Sequence, residues 1–95
     1  MAFRLTNESL AGLLKTLGLK PGDLVQNNHR RWRHPDSGCE FLLPANKIQE
    51  SPRAADLVGI RAQLDLQGHL DEDAFDYFVA EGTLPVVPAD NDRGA

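Results

Sequence analysis

Asn28-His29-Arg30-Arg31-Trp32-Arg33-His34-Pro35-Asp36-Ser37-Gly38, followed at once by Cys39-Glu40-Phe41-Leu42-Leu43, is the stretch whose reading decides the fold. Its first half has the residue types of a strand and its middle those of a tight turn. Pro35 pre-sets φ at the first central turn position, Asp36 and Ser37 suit turn backbones, and Gly38 tolerates positive φ. Its last part is a short apolar strand that Pro44 ends. The whole is therefore a β-hairpin. Strand alternation assigns His29, Arg31 and Arg33 to one face and Asn28, Arg30 and Trp32 to the other. Trp32 is the natural core anchor, and His29, Arg31 and Arg33 are left facing water.

Upstream of the hairpin the sequence predicts a helix with clear punctuation. Thr6 is a good N-cap, with Leu5 and Leu10 placed to close a hydrophobic staple. Leu10, Leu13, Leu14 and Leu17 recur at i, i+3, i+4 and i+7, the stripe of a helix with one buried face. Gly18 suits the left-handed position after the helix, and Leu19 can fold back over the last turn. Lys20-Pro21-Gly22-Asp23 has the pattern of a type II turn. Leu24-Val25 then opens a strand in which Asn27-Asn28 is either a kink or, if Leu24-Val25 pairs separately, a turn.

Downstream, Ala45 to Glu50 is a polar connection. Ser51-Pro52 signals a second helix, with serine as N-cap and proline in the first turn. Leu57, Ile60 and Leu64 form its stripe, widened by Ala54 and Val58. Gly59 inside it costs about 1 kcal/mol relative to alanine, and Gly68 ends it. The third helix has Asp71 as N-cap, Leu70 and Phe75 as staple, and Phe75, Phe78 and Val79 as its apolar face, with Tyr77 beside them; Gly82 is the stop. The expected fold class is α+β, in the order α-β-β(-β)-α-α, with a two- or three-stranded antiparallel sheet packed on helices. Residues 1–84 are expected to form one domain. Residues 85–95 are expected to be an extended acidic tail, held straight by its prolines at first and disordered at the end.

Ninety-five residues, 41% hydrophobic and 25% charged, suit one small globular domain. No stretch has the roughly 18 apolar residues of a membrane span, and the first residues lack the layout of a signal peptide. A single cysteine excludes an internal disulfide framework, so a cytoplasmic, bacterial-sized protein with no membrane partner is expected. The net charge of −4 hides an asymmetry. Residues 1–64 carry nine basic and six acidic residues, whereas residues 65–95 carry eight acidic residues against Arg93 alone. A basic surface thus coexists with an acidic segment that could screen it, cover it or dock on another protein.

Two of the three histidines, three of the seven arginines and the only tryptophan lie in the hairpin. Cleavage of RNA by its own 2′-hydroxyl needs a base for that proton and cationic donors for the phosphate oxygens. A histidine flanked by arginines on one strand face could supply both. Charged residues on a solvated strand also block aggregation, which is the plainer reading. No metal or cofactor is indicated. His29, His34, Cys39 and Glu40 match no standard zinc spacing, and Asp71, Glu72, Asp73 and Asp76 lie on a helix rather than in a calcium loop. Cys39 suits a small hydrophobic strand residue, and His69 a surface position near a helix start.

The run Asn28 to Asp36 resembles the signature of HicA-like toxins, small ribonucleases of bacterial toxin–antitoxin pairs with a fold like the double-stranded RNA-binding domain. In that family a Gly-Ser-His segment opens a strand, an aromatic follows three residues later, and Arg-His-Pro-Asp-Gly forms the turn. Matched by position, His29 takes the place of the catalytic histidine, Trp32 that of the aromatic, and Arg33-His34-Pro35-Asp36 that of the turn. Pro44 matches a proline ending the next strand. Asn27-Asn28 stands where the family has Gly-Ser, and the acidic helix and tail extend past the family's usual end. The resemblance implies an RNA-binding protein, with His29 as general base of a ribonuclease. Arg30, Arg31, Arg33, His34 and Trp32 become candidates for contact with RNA, and an antitoxin or other protein becomes a candidate partner. The alternative is a non-enzymatic protein-interaction module, of the kind found in phages or mobile elements. It would use Trp32 and the arginines as a hot spot and the acidic helix as a second contact.

Overall fold

The computed structural model describes residues 3–85; of the tail expected over residues 85–95, residues 86–95 lie outside the described residues. The order is α1 (Asn7–Thr16), β1 (Lys20–Val25), β2 (His29–Arg33), β3 (Glu40–Pro44), α2 (Ala54–Leu66) and α3 (Glu72–Glu81). The three strands form one antiparallel sheet in the order β1-β2-β3. This is the α+β arrangement α-β-β-β-α-α, and of the two sheets the sequence allowed it is the three-stranded one.

The ends of α1 follow from the residues expected to make them. The Thr6 hydroxyl accepts the Ser9 amide at 3.1 Å. At the other end the Gly18 amide donates to the Lys15 carbonyl and the Leu19 amide to that of Leu14, the paired bonds of a Schellman motif. Gly18 holds φ +98°, and a Cβ there would come within 3.1 Å of the His34 ring. Left-handed backbone and close approach both require glycine at this point.

Lys20-Pro21-Gly22-Asp23 is not a turn but the first part of β1. Lys20 pairs with Arg33 and Pro21 with Trp32, and a bulge lies between Pro21 and Leu24. Proline and glycine are tolerated there because β1 is an edge strand and the bulge releases the ladder. The turn lies later. Asn27 and Asn28 both take positive φ, 60° and 57°, which asparagine accepts more readily than most residues. They therefore let Val25 pair with His29 across a three-residue connection.

Burial alternates along β3 and the second half of β2: Trp32, Phe41 and Leu43 are buried, and Arg31, Arg33, Glu40 and Leu42 are exposed. One hydrophobic cluster joins the core face of the sheet to Leu10, Leu13 and Leu14 of α1, Ile60 and Leu64 of α2, and Phe75 and Phe78 of α3. α2 departs from expectation at its start and on its flank. Its N-cap is Arg53 and it begins at Ala54, so Ser51-Pro52 belongs to the connection. Val58 and Ala54 are exposed rather than part of the buried stripe. Asp71 caps α3 by accepting the Ala74 amide at 2.7 Å.

Candidate nucleic-acid interface

His29, Arg31 and Arg33 project from the face of β2 turned away from the core, as the alternation requires. Antiparallel pairing adds their neighbours on that face: Val25 and Pro44 beside His29, Leu42 beside Arg31, and Lys20 and Glu40 beside Arg33. Lys20 therefore extends the basic row, a contribution hidden by its reading as a turn residue. Arg31 forms an ion pair with Glu40 at 3.1 Å. Arg33 makes no ion pair among the described residues.

The two remaining residues of the strand face the other way. Trp32 is 7% exposed and part of the core, so its indole is not available to stack on a base. Of the two roles the sequence allowed it, anchor and contact, the structure has the anchor. Arg30 reaches across to β1 and donates from Nη1 to the Gly22 carbonyl at 2.7 Å, which ties the bulge of β1 to β2.

His29 opens β2 directly after the Asn27-Asn28 turn. Its Nδ1 lies 3.0 Å from the Asn27 carbonyl. A carbonyl can only accept, so Nδ1 carries the proton and donates. In the neutral ring Nε2 then keeps a lone pair, and it has no hydrogen-bond partner among the described residues. Beside the ring lies a cleft of about 570 Å³, lined among others by Asn27, Pro44, Lys47 and Arg53. Lys47 and Arg53 come from the β3–α2 connection; the sequence marked Lys47 only as part of a polar segment and placed Arg53 in the first turn of a helix. Arg53 is held by Asp56 at 3.2 Å, and that hydrogen bond and charge raise its guanidinium above the ordinary range.

The connection is fastened to α1. The Asn7 and Glu8 amides, two free donors of the first helical turn, donate to the carbonyls of Glu50 and Ile48 at 2.8 and 2.9 Å. Asn7 Nδ2 donates to the Lys47 carbonyl at 2.9 Å. This places the cleft wall by hydrogen bonds rather than by apolar burial.

His34 does not join His29. The two are the ends of a run of six residues, about 17 Å apart in an extended strand. His34 Nδ1 instead accepts the Asp36 amide at 3.1 Å, and its ring stacks on His69 with centroids 4.1 Å apart. His69 is half-buried, with Nε2 2.8 Å from the Ser37 hydroxyl. The three residues clasp the β2–β3 turn to the α2–α3 connection, so His69 is a packing residue and not a free surface group. Cys39 is buried, which pushes its thiol pKa up and suits a small hydrophobe rather than a nucleophile.

The acidic helix does not lie in ion-pair contact with the basic strand among the described residues. Asp76 and Glu72 of α3 instead pair with Arg61 of α2, at 2.9 and 3.3 Å. No helix among the described residues is long and apolar enough to cross a membrane. What the fold and the site define is an α+β domain with a row of basic side chains on the open face of its sheet and an outward-facing histidine at one end of that row. In comparisons with known proteins the chain matches no family model, no curated protein and no solved structure.

Proposed function

We propose that this chain is an RNA-binding protein of the HicA type and that His29 serves as the general base of an endoribonuclease. The observation that carries the reading is the His29 ring itself. Its Nδ1–H is committed to the Asn27 carbonyl, its Nε2 is open, and it lies between a 570 Å³ cleft and the row of Arg31 and Arg33. The histidine opening a strand in a helix, hairpin, helix order also suits the family, as does Pro44 ending the next strand.

In this reading the phosphodiester lies along the open face of β2. Nε2 takes the proton of the 2′-hydroxyl, and the 2′-oxygen attacks phosphorus. The 5′-oxygen leaves with a proton from solvent. Arg31 and Arg33 donate to the non-bridging oxygens, whose charge grows in the transition state. The two asparagines in place of Gly-Ser set the ring's tautomer through a backbone carbonyl. The expected setting is the bacterial cytoplasm, with an antitoxin as a second partner. The protein-interaction alternative is weakened, because its intended anchor, Trp32, is buried.

The test is cleavage of a mixed-sequence RNA by the purified chain, with His29→Ala and Arg31→Ala/Arg33→Ala beside it. The histidine variant is expected to bind RNA like the wild type and not to cleave it. The double arginine variant is expected to bind more weakly and cleave more slowly, with a binding salt slope lower by about two. Cleavage by His29→Ala at the wild-type rate would refute the assignment of the base. Wild-type protein that neither binds nor cleaves RNA would refute the function.

A further inference from the structure

The two edges of the sheet are built differently. β1 carries the features that keep an edge from pairing with another chain. It has Pro21 and Asp23, a bulge before Leu24, and the Arg30 guanidinium bonded to the Gly22 carbonyl. β3 has none of these along its middle. Its register with β2 is unbroken over five residues, and its centre is Phe41-Leu42-Leu43.

The direction of its free backbone groups follows from the ladder. The His34 amide donates to the Cys39 carbonyl and the Ala45 amide to that of Asn28. Hydrogen bonding alternates along an antiparallel pair, so Phe41 and Leu43 bond inward to β2. Glu40 and Leu42 direct their N–H and C=O groups outward, and Pro44 its C=O. Leu42 is also 49% exposed on the open face. On the other side of the edge a groove of about 350 Å³ runs between β3 and α2, lined by Phe41, Leu42, Ala55, Gly59 and Ile60. A Cβ at Gly59 would meet nothing within 4 Å. Next to it Val58 is 68% exposed.

We infer that β3 and the Ala55–Gly59 side of α2 form a homodimer interface, in which β3 pairs antiparallel with β3 of a second copy. The segment is self-complementary about a two-fold axis at Leu42. Leu42 then faces Leu42 of the second copy and exchanges two hydrogen bonds with it. Each Glu40 amide donates to the other copy's Pro44 carbonyl, so the missing proline N–H costs little. The two Glu40 carboxylates fall at opposite ends of the pair, where they do not repel at close range. Ala55 and Gly59 leave room for the second α2 beside the first, and this accounts for a glycine inside a helix that would be more stable with alanine. Because β1 is blocked, the pairing closes at two chains with a six-stranded sheet and does not propagate into a fibre. The interface meets the His29 cleft at Pro44, but the inference does not depend on the proposed function.

The experiment is sedimentation equilibrium of the full chain from micromolar to sub-millimolar concentration, with amide hydrogen exchange at both ends of that range. The 10.5 kDa chain is expected to approach twice its mass as concentration rises. The Glu40 and Leu42 amides should become protected together with dimerisation, while those of Phe41 and Leu43 are protected throughout. Leu42→Lys and Gly59→Lys should each weaken association at least about tenfold. Gly59→Lys should leave the monomer at least as resistant to heat as the wild type, which separates a lost interface from a lost fold. A wild-type chain of 10.5 kDa at every concentration would overturn the proposal. So would a dimer in which the Glu40 and Leu42 amides exchange freely. Protection of those two amides only on adding a different protein would replace the second copy with that partner and overturn it as well.

Discussion

Asn7 offers a substitution whose sign separates two views of the first turn of α1. Taken as a surface position in that turn, residue 7 should welcome a carboxylate, because the helix dipole favours negative charge there by about 0.3–1 kcal/mol. In the structure Asn7 is 5% exposed and its Nδ2 donates to the Lys47 carbonyl at 2.9 Å. Asn7→Ala removes that donor from a part-buried hydrogen bond, at a cost of about 0.5–1.5 kcal/mol. Asn7→Asp is expected to cost more at neutral pH, because a buried carboxylate would face a carbonyl oxygen. For a domain of this size each kcal/mol is worth about 4–8 °C in Tm. The assay is thermal unfolding followed by far-UV circular dichroism across pH. Burial and the facing carbonyl favour the protonated form of the new carboxyl, so its folded-state pKa is raised. The sign then follows. A raised pKa stabilises the fold at low pH and loses that contribution as pH rises, so the deficit of Asn7→Asp relative to Asn7→Ala should shrink in acid. An Asn7→Asp protein as stable as the wild type at neutral pH would refute the reasoning, and with it the fastening of the cleft wall to α1.

Trp32→Ala should destabilise the domain by about 3–5 kcal/mol, enough to unfold much of it at room temperature; an unchanged melting curve would place the indole outside the core. Changing Asp73, Asp76 and Glu81 to their neutral amides should alter RNA affinity by less than about twofold at physiological salt, since Asp76 engages Arg61 rather than the strand arginines. A large gain in affinity, measured by fluorescence anisotropy, would bring α3 back as a cover for the basic strand.

The elements that were legible in the sequence are those whose ends are chemically marked. Thr6, Gly18, Asp71 and Gly82 bound α1 and α3 because a cap needs a particular side chain or a left-handed residue at one position. The hairpin from His29 to Pro44 was legible for a related reason: Pro35 to Gly38 allow little but a turn, and period-two alternation assigns the faces. β1 was hidden because Pro21-Gly22 satisfies a type II turn locally, and only its pairing with Trp32 and Arg33 makes it a strand. The start of α2 was hidden in the same way. Ser51-Pro52 is a sound start signal, but the carbonyls of Ile48 and Glu50 are already committed to α1, which holds that segment in the connection. Of the candidate site, the open-face row of His29, Arg31 and Arg33 could be read from alternation. Lys47, Arg53, Ser37 and His69 could not, since each reaches its place through a contact distant in sequence.

The separation of the two hairpin histidines narrows the chemistry further. A pair of imidazoles within reach of one phosphate could act as base and acid together. Here His29 begins β2 and His34 lies past its end, stacked on His69 and accepting backbone amides of its own turn. His34 is therefore used in holding the hairpin to the α2–α3 connection, and His29 remains as the one hairpin imidazole beside a cleft. Beside it are Arg31 along the strand and Lys47 and Arg53 across the cleft, which Glu50 and Asp56 also line, Asp56 paired with Arg53. Such a set suits a reaction in which one proton is removed and negative charge then grows on phosphate oxygens. It suits less well a reaction that needs a second enzyme-held proton for the leaving group. Any cleavage by this chain should accordingly be lost in His29→Ala and persist in a folded His34→Gln protein. Loss of cleavage in a folded His34→Gln protein would mean that a second proton donor reaches the phosphate, and His29 would then not act alone.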